Sequence, residues 1–262
     1  MQRTPNIIRS LLLVCICIIA LGTAYNKMLR VKSSTSKLNN DAAEASTLKK
    51  QIVKKAIEEY ERWHVNGTLR ETDAEATSIL LEYWKLGSIP VSKSNLQNSS
   101  WQYRHPWSAV FISYVMLQAG ARNNFPYSNN HAKYIVWARD NALVQADPLF
   151  AAYDINDQRS AWPEPGDLIC MNRRSNQFTM QTINQKCISH CDIVVEADKE
   201  KGFITTIGGN IGQTVNKRIV WLNANGLIDV SKNWQVLDDE DKNPEGSQKE
   251  IFGVIKVNSH YR

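Results

Sequence analysis

The stretch Pro163-Glu164-Pro165-Gly166-Asp167-Leu168-Ile169-Cys170 divides this chain by character. Its Pro/Gly cluster is turn chemistry, because proline presets φ and glycine accepts left-handed backbone. The apolar run behind it, Asp167 to Cys170, has the length of a strand. Four further runs follow: Cys191 to Ala197, Phe203 to Ile207, Arg218 to Leu222 and Ile251 to Val257. Upstream the apolar spacing is helical. Helices first and strands later predict an α+β domain, with N-terminal helices packed on an antiparallel sheet rather than βα units around a parallel one.

The helical half reads outward from Thr47. Ile52, Val53, Ala56, Ile57, Tyr60 and Trp63 recur at three- and four-residue steps, which is one helix face, so a helix is predicted from Thr47 to Trp63. A second, about Glu71 to Leu86, stops at Gly87. Residues 88–104 are Ser- and Asn-rich and read as a loop. Pro106 suits the first turn of a mostly buried helix from Trp107 to about Ala119, and a shorter helix is expected from Asn130 to Asn141. Asp238 to Lys249 reads as an exposed charged loop.

Residues 1–24 have the layout of an export signal: Arg3 and Arg9, an apolar core from Leu11 to Gly22, and the small-x-small triplet Gly22-Thr23-Ala24. Left uncleaved, residues 7–24 would serve as a membrane anchor. Residues 25–46 read as a flexible tether and 47–262 as one domain, helical over about 47–145 and sheet over about 163–258. The formal charge of +5 loses two with the leader, and the remaining basic residues are scattered among acids. No basic stripe points to nucleic acid, while a mild positive balance suits a polyanionic wall or a membrane surface. Of the exported cysteines, Cys170 and Cys191 fall on adjacent predicted strands, so an oxidising compartment favours a cross-strand bond, with Cys187 the rival partner. No motif for a metal or an organic cofactor stands out.

Three short pieces carry candidate chemistry. Ser108 lies in the first turn of a buried helix, where unpaired N–H groups and the helix dipole favour developing negative charge. His190 opens an apolar strand. Alternation puts His190, Asp192 and Val194 on one side and Cys191 with Ile193 on the other, so the expectation is that His190 faces the Ser108 helix and Cys191 is turned away. Asn210, after Gly208-Gly209, is a candidate to orient the imidazole, and Asp192 is the competing one. His131, with Ser128 three residues ahead, reads either as a structural histidine beside a cap or as a cleft residue. His105, Trp101, Tyr103 and Trp107 gather near the same mouth, where aromatic faces would stack on sugars.

In this order, Trp107-Ser108-Ala109, Gly166-Asp167-Leu168-Ile169 and His190-Cys191-Asp192-Ile193-Val194-Val195 resemble bacterial cell-wall amidases and endopeptidases of the NlpC and CHAP types, with serine where those families carry a thiol. Tyr83-Trp84-Lys85-Leu86-Gly87, Pro106 to Ser113, Phe125-Pro126-Tyr127-Ser128 with His131, Tyr134-Ile135 and the His190 strand resemble an uncharacterised bacterial family, domain of unknown function 2272, over roughly residues 75–225. The resemblance implies a papain-like fold in which serine is the ordinary occupant of the nucleophile position.

The function expected is an exported hydrolase acting on peptide or amide bonds of peptidoglycan, with Ser108 as nucleophile, His190 as base and Asn210 or Asp192 as orienter. Trp107, His105, His131, Ser128 and Tyr103 are the expected substrate contacts. The competing readings are a catalytically silent module that binds wall peptide or a partner protein, and an esterase. The last lacks a Gly-x-Ser-x-Gly elbow.

Overall fold

The computed structural model describes residues 47–173, 177–237 and 248–258. The leader, the tether and most of the expected loop 238–249 lie outside the described residues. The described chain is α+β, with six helices against one seven-stranded antiparallel sheet.

Helix α1 covers 47–64, followed by α2 (Ala74–Trp84), α3 (Lys93–Leu96), α4 (Ser99–Arg104), α5 (Ser108–Gln118) and α6 (His131–Val144). The strands are β1 (Phe150–Asp154), β2 (Leu168–Asn172), β3 (Ser189–Asp198), β4 (Phe203–Ile211), β5 (Thr214–Trp221), β6 (Gln235–Val236) and β7 (Ile251–Val257), in the spatial order β1-β7-β2-β3-β4-β5-β6. The expected loop 88–104 instead contains α3 and α4. Both are nucleated by side-chain caps, with Ser92 accepting from the Asn95 N–H and Asn98 from the Trp101 N–H. Strands β1 and β6 had no expectation attached. Gln248, placed by sequence in an exposed loop, is buried, and its amide donates to the carbonyls of Trp221 (3.1 Å) and Asp229 (2.7 Å).

Helix α5 has no polar face to speak of, and it lies between α2 and the strands β3 and β4. Phe111, Ile112 and Met116 are fully sequestered, each worth about 1.5–3 kcal/mol of apolar burial. The main core joins these helical residues to Leu168, Cys170, Cys191, Ile193 and Ile207 on one sheet face. A second cluster, including Ile169, Met171, Val194, Ile204, Val220 and Trp234, covers the other. Cys191 is therefore on the helix side, opposite to expectation, and alternation along β3 sets Asp192 with Val194 on the far side. Cys170 and Cys191 are direct cross-strand partners joined by a disulfide, while Cys187 is a buried free thiol.

Helix α1 is anchored at both ends. Lys49 meets the fully buried Asp167 (3.2 Å) and Glu164 (2.7 Å), and Trp63 stacks on Trp107 with centroids 4.9 Å apart. Between β4 and β5 the chain reverses through Gly212 (φ 60°) and Gln213 (φ 67°), closing the Ile211/Thr214 pair with two left-handed residues, as the twist of a tight hairpin demands.

Candidate active site

Four elements converge on one buried polar cluster. Ser108 is the first residue of α5 and His131 the first of α6, so both side chains sit at helix starts facing a common space. The Ser108 hydroxyl and Nε2 of His131 are 2.7 Å apart, and Nδ1 of His131 meets the Tyr134 hydroxyl one turn along α6. His190, at the start of β3, lies with its ring centroid 5.1 Å from that of His131. Its Nε2 bonds Oδ1 of Asp192 at 2.8 Å, and the other carboxylate oxygen takes the Arg218 guanidinium of β5 at 2.5 Å. Ser108, His131, His190 and Asp192 are each no more than 5 % exposed.

The expected contact between Ser108 and His190 is replaced by one between Ser108 and His131. The reason is tertiary: the start of α6 packs beside the start of α5, so His131 rather than His190 fills the hydrogen-bonding sphere of the serine. Asp192, not Asn210, holds the imidazole of His190. Asn210 adopts φ 59° at the register shift between Gly209 and Ile211, and no hydrogen bond joins it to His190 among the described residues.

Burial pushes His131 well below the ordinary imidazole value, helped by the nearby charges of His190 and Arg173. His190 is also lowered, because burial outweighs the favourable pull of Asp192. Burial opposes ionisation of Asp192, yet Arg218 and His190 together hold its carboxyl below the usual range. Tyr134 is raised well above an ordinary phenol by burial and by Asp192, so it keeps its proton. That proton is available to the histidine beside it. With the Tyr134 O–H donating to His131 Nδ1, the His131 proton is on Nε2 and is donated to the Ser108 oxygen. On His190 the proton is on Nε2, held by Asp192, and Nδ1 carries a lone pair.

A cleft of about 230 Å³ opens over Ser108, lined by Pro106, Ala109, Asn129, Asn130, His131 and the segment Lys186 to Ser189, with Arg173 beside it. The other expected substrate contacts are elsewhere. Trp107 is 1 % exposed and donates its indole N–H to Glu71 at 2.7 Å, so it is a core residue. Ser128 shapes the turn before α6, its hydroxyl accepting from the Asn130 N–H at 3.1 Å, while Asn130 is the actual cap. His105 stacks on Trp101 and donates from Nδ1 to that residue's carbonyl at 2.8 Å. Tyr103 is exposed on α4 and outside the cleft lining. Among the described residues no group of three or more His, Cys, Asp or Glu side chains is disposed to hold a metal ion, and no helix is long and apolar enough to cross a membrane.

The family described as "Uncharacterized protein conserved in bacteria (DUF2272)" matches residues 78–249. The chain belongs to DUF2272. No curated protein and no solved structure matches it. The DUF2272 segment contains Ser108, His131, Tyr134, Arg173, His190, Asp192 and Arg218, and hence the whole polar cluster, while α1 and β7 lie beyond it. Sequence reading singled out Ser108, His190 and Asp192. Arg218 and the role of Tyr134 were not among its candidates, although Tyr134 lies in a family-like motif and one turn after His131.

Proposed function

We propose that this chain is an exported hydrolase of papain-like design that cleaves peptide or amide bonds of peptidoglycan, with a serine nucleophile. The observation that supports this most directly is the Ser108 hydroxyl, set at a helix start in hydrogen-bond contact with one of two adjoining imidazoles, the second of which is tied to a fully buried carboxylate. A serine hydroxyl, imidazole and buried carboxylate gathered in one site are the components of acyl-transfer chemistry.

In this proposal His190 is the base. A substrate carbonyl entering the cleft turns the Ser108 hydroxyl from His131 to Nδ1 of His190, and Oγ attacks the carbonyl carbon as its proton passes to that nitrogen. The imidazolium is stabilised by Asp192. The oxyanion is held by the free N–H groups opening α5, which its preceding residue leaves without a side-chain cap. Collapse breaks the C–N bond, and His190 returns the proton to the leaving amine. Water then attacks the acyl-serine, giving its proton to His190, and Ser108 is restored. His131, a poor base, acts as a donor that positions the serine oxygen.

The test compares purified protein with Ser108→Ala on intact sacculi, reading soluble muropeptide release, and on a generic ester. Release by the parent alone supports the proposal, and equal release by both overturns it. A binding-only module is the second reading, favoured by the absence of a direct Ser108–His190 bond among the described residues. It predicts co-sedimentation with sacculi and no release.

A further inference from the structure

The cleft over Ser108 has a chemical bias of its own. Two cationic side chains, Arg173 and Lys186, line it, and among the described residues no aspartate or glutamate does. Glu71, an acid in electrostatic reach of Arg173, already takes the Trp107 indole N–H on its carboxylate. Lys186 is exposed and makes no ion pair among the described residues. Ser189, on the same wall, is 5 % exposed, and its buried hydroxyl has no hydrogen-bond partner among the described residues. An orphaned buried hydroxyl costs about 1–3 kcal/mol unless a ligand or water satisfies it, so its place on a cleft wall marks a point where an acceptor is expected. Donors therefore surround the space: the Ser189 hydroxyl, the guanidinium, the ammonium and the N–H groups of α5.

We infer that this wall is a subsite for a carboxylate, and that the preferred substrate is a peptide carrying a free acid group beside the bond presented to Ser108. The substrate class deepens the hydrolase reading and rests on it, but the subsite itself binds whether or not Ser108 reacts. A volume near 230 Å³ takes one short acidic residue rather than a chain of them. Arg173 pairs well with such a group because its planar fork matches a carboxylate in two hydrogen bonds, while Lys186 adds a point charge at the rim.

The arrangement also couples binding to chemistry. Arg173 is among the charges that oppose protonation of both His131 and His190. A carboxylate docked on the guanidinium cancels that opposition just when His190 must accept a proton. An acidic substrate thus assists its own base.

The probes are N-acetyl-alanyl-glutamate and its uncharged counterpart N-acetyl-alanyl-glutamine amide. Binding is measured by calorimetry or NMR titration with the full Ser108→Ala chain, which removes turnover. The acidic peptide is expected to bind at least tenfold more tightly, with the preference weakened by salt. Lys186→Gln, at an exposed position, should lower the preference several-fold, and Arg173→Gln should abolish it. Ser189→Ala should weaken the acidic peptide alone. Equal affinity for the two peptides, no binding of either at millimolar concentration, or a preference that survives both cation substitutions would overturn the subsite. Binding with the expected preference but no turnover by the parent protein would sink the hydrolase reading and leave the subsite standing.

Discussion

A Cβ placed on Gly208 would lie 1.8 Å from Oδ1 of Asp192, so bare backbone of β4 forms one wall of the seat in which that carboxylate meets His190. Any side chain at 208 must displace the aspartate. Gly208→Ala is expected to lower stability by about 1–3 kcal/mol, the usual cost of overpacking, and to cut kcat/KM at least tenfold with an altered pH profile. Gly209→Ala is the control. Its added carbon meets Phe111 and Trp107 instead, so it should cost comparable stability in a thermal melt without moving the pH profile.

The two imidazoles should separate by mutation. Removing Ser108 or His190 is expected to cost at least about 10³-fold in kcat, and the double variant no more than either single one, because the groups act as a unit. Tyr134→Phe removes the donor that fixes His131 as an Nε2–H tautomer. The freed imidazole then competes for the serine proton, and kcat should fall about ten- to a hundredfold with little change in KM. Steady-state kinetics on a defined muropeptide checks all four variants.

What sequence could and could not reveal follows from the range of the interactions. Ile251–Val257 was legible to the residue because its β-branched and aromatic residues, interrupted only by Gly253 and Lys256, read as a strand between polar segments. Strand β1 was not, since Phe150-Ala151-Ala152-Tyr153-Asp154 has two alanines, poor strand formers, and depends on pairing with β7 a hundred residues later. The same distance effect hid the partner of His131, although the residue itself reads as a candidate cleft contact. Its bond to Ser108 comes from packing the start of α6 against the start of α5, which no local pattern encodes. Asp192 was within reach because residues two apart on a strand share a face. Asn210 was misread because Gly-Gly-Asn serves a bulge as well as it would serve an imidazole.

The Cys170–Cys191 disulfide closes a loop of separation 21 across adjacent strands. Chain-entropy bookkeeping puts its contribution at about 3 kcal/mol. The Cys170→Ala/Cys191→Ala variant should therefore unfold at a clearly lower denaturant midpoint than the oxidised parent, and reductant should shift the parent towards it. Cys187 is free in both proteins, so a Cys187→Ala variant should keep the full reductant response.

Stability should also depend on pH through the buried imidazoles. His131 and His190 are both depressed in the folded chain, so the unfolded chain binds more protons as the pH falls. Their contribution is complete above the ordinary value of about 6.5 and is lost below it, each costing up to about 1.4 kcal/mol per pH unit. Glu59 and Glu71 run the other way. Burial raises both, so their contribution is full below the ordinary carboxyl range and declines as pH rises through their raised values. On acidification from neutrality the histidines titrate first, and the melting temperature should fall between pH 7.5 and 5.5. His131→Asn should be less stable at neutral pH yet show a shallower decline, because one proton-binding site has been taken from the unfolded chain. Melts of the two proteins at matched ionic strength decide it: parallel curves would mean that His131 is not held neutral, and the donor role assigned to it towards Ser108 would fail with them.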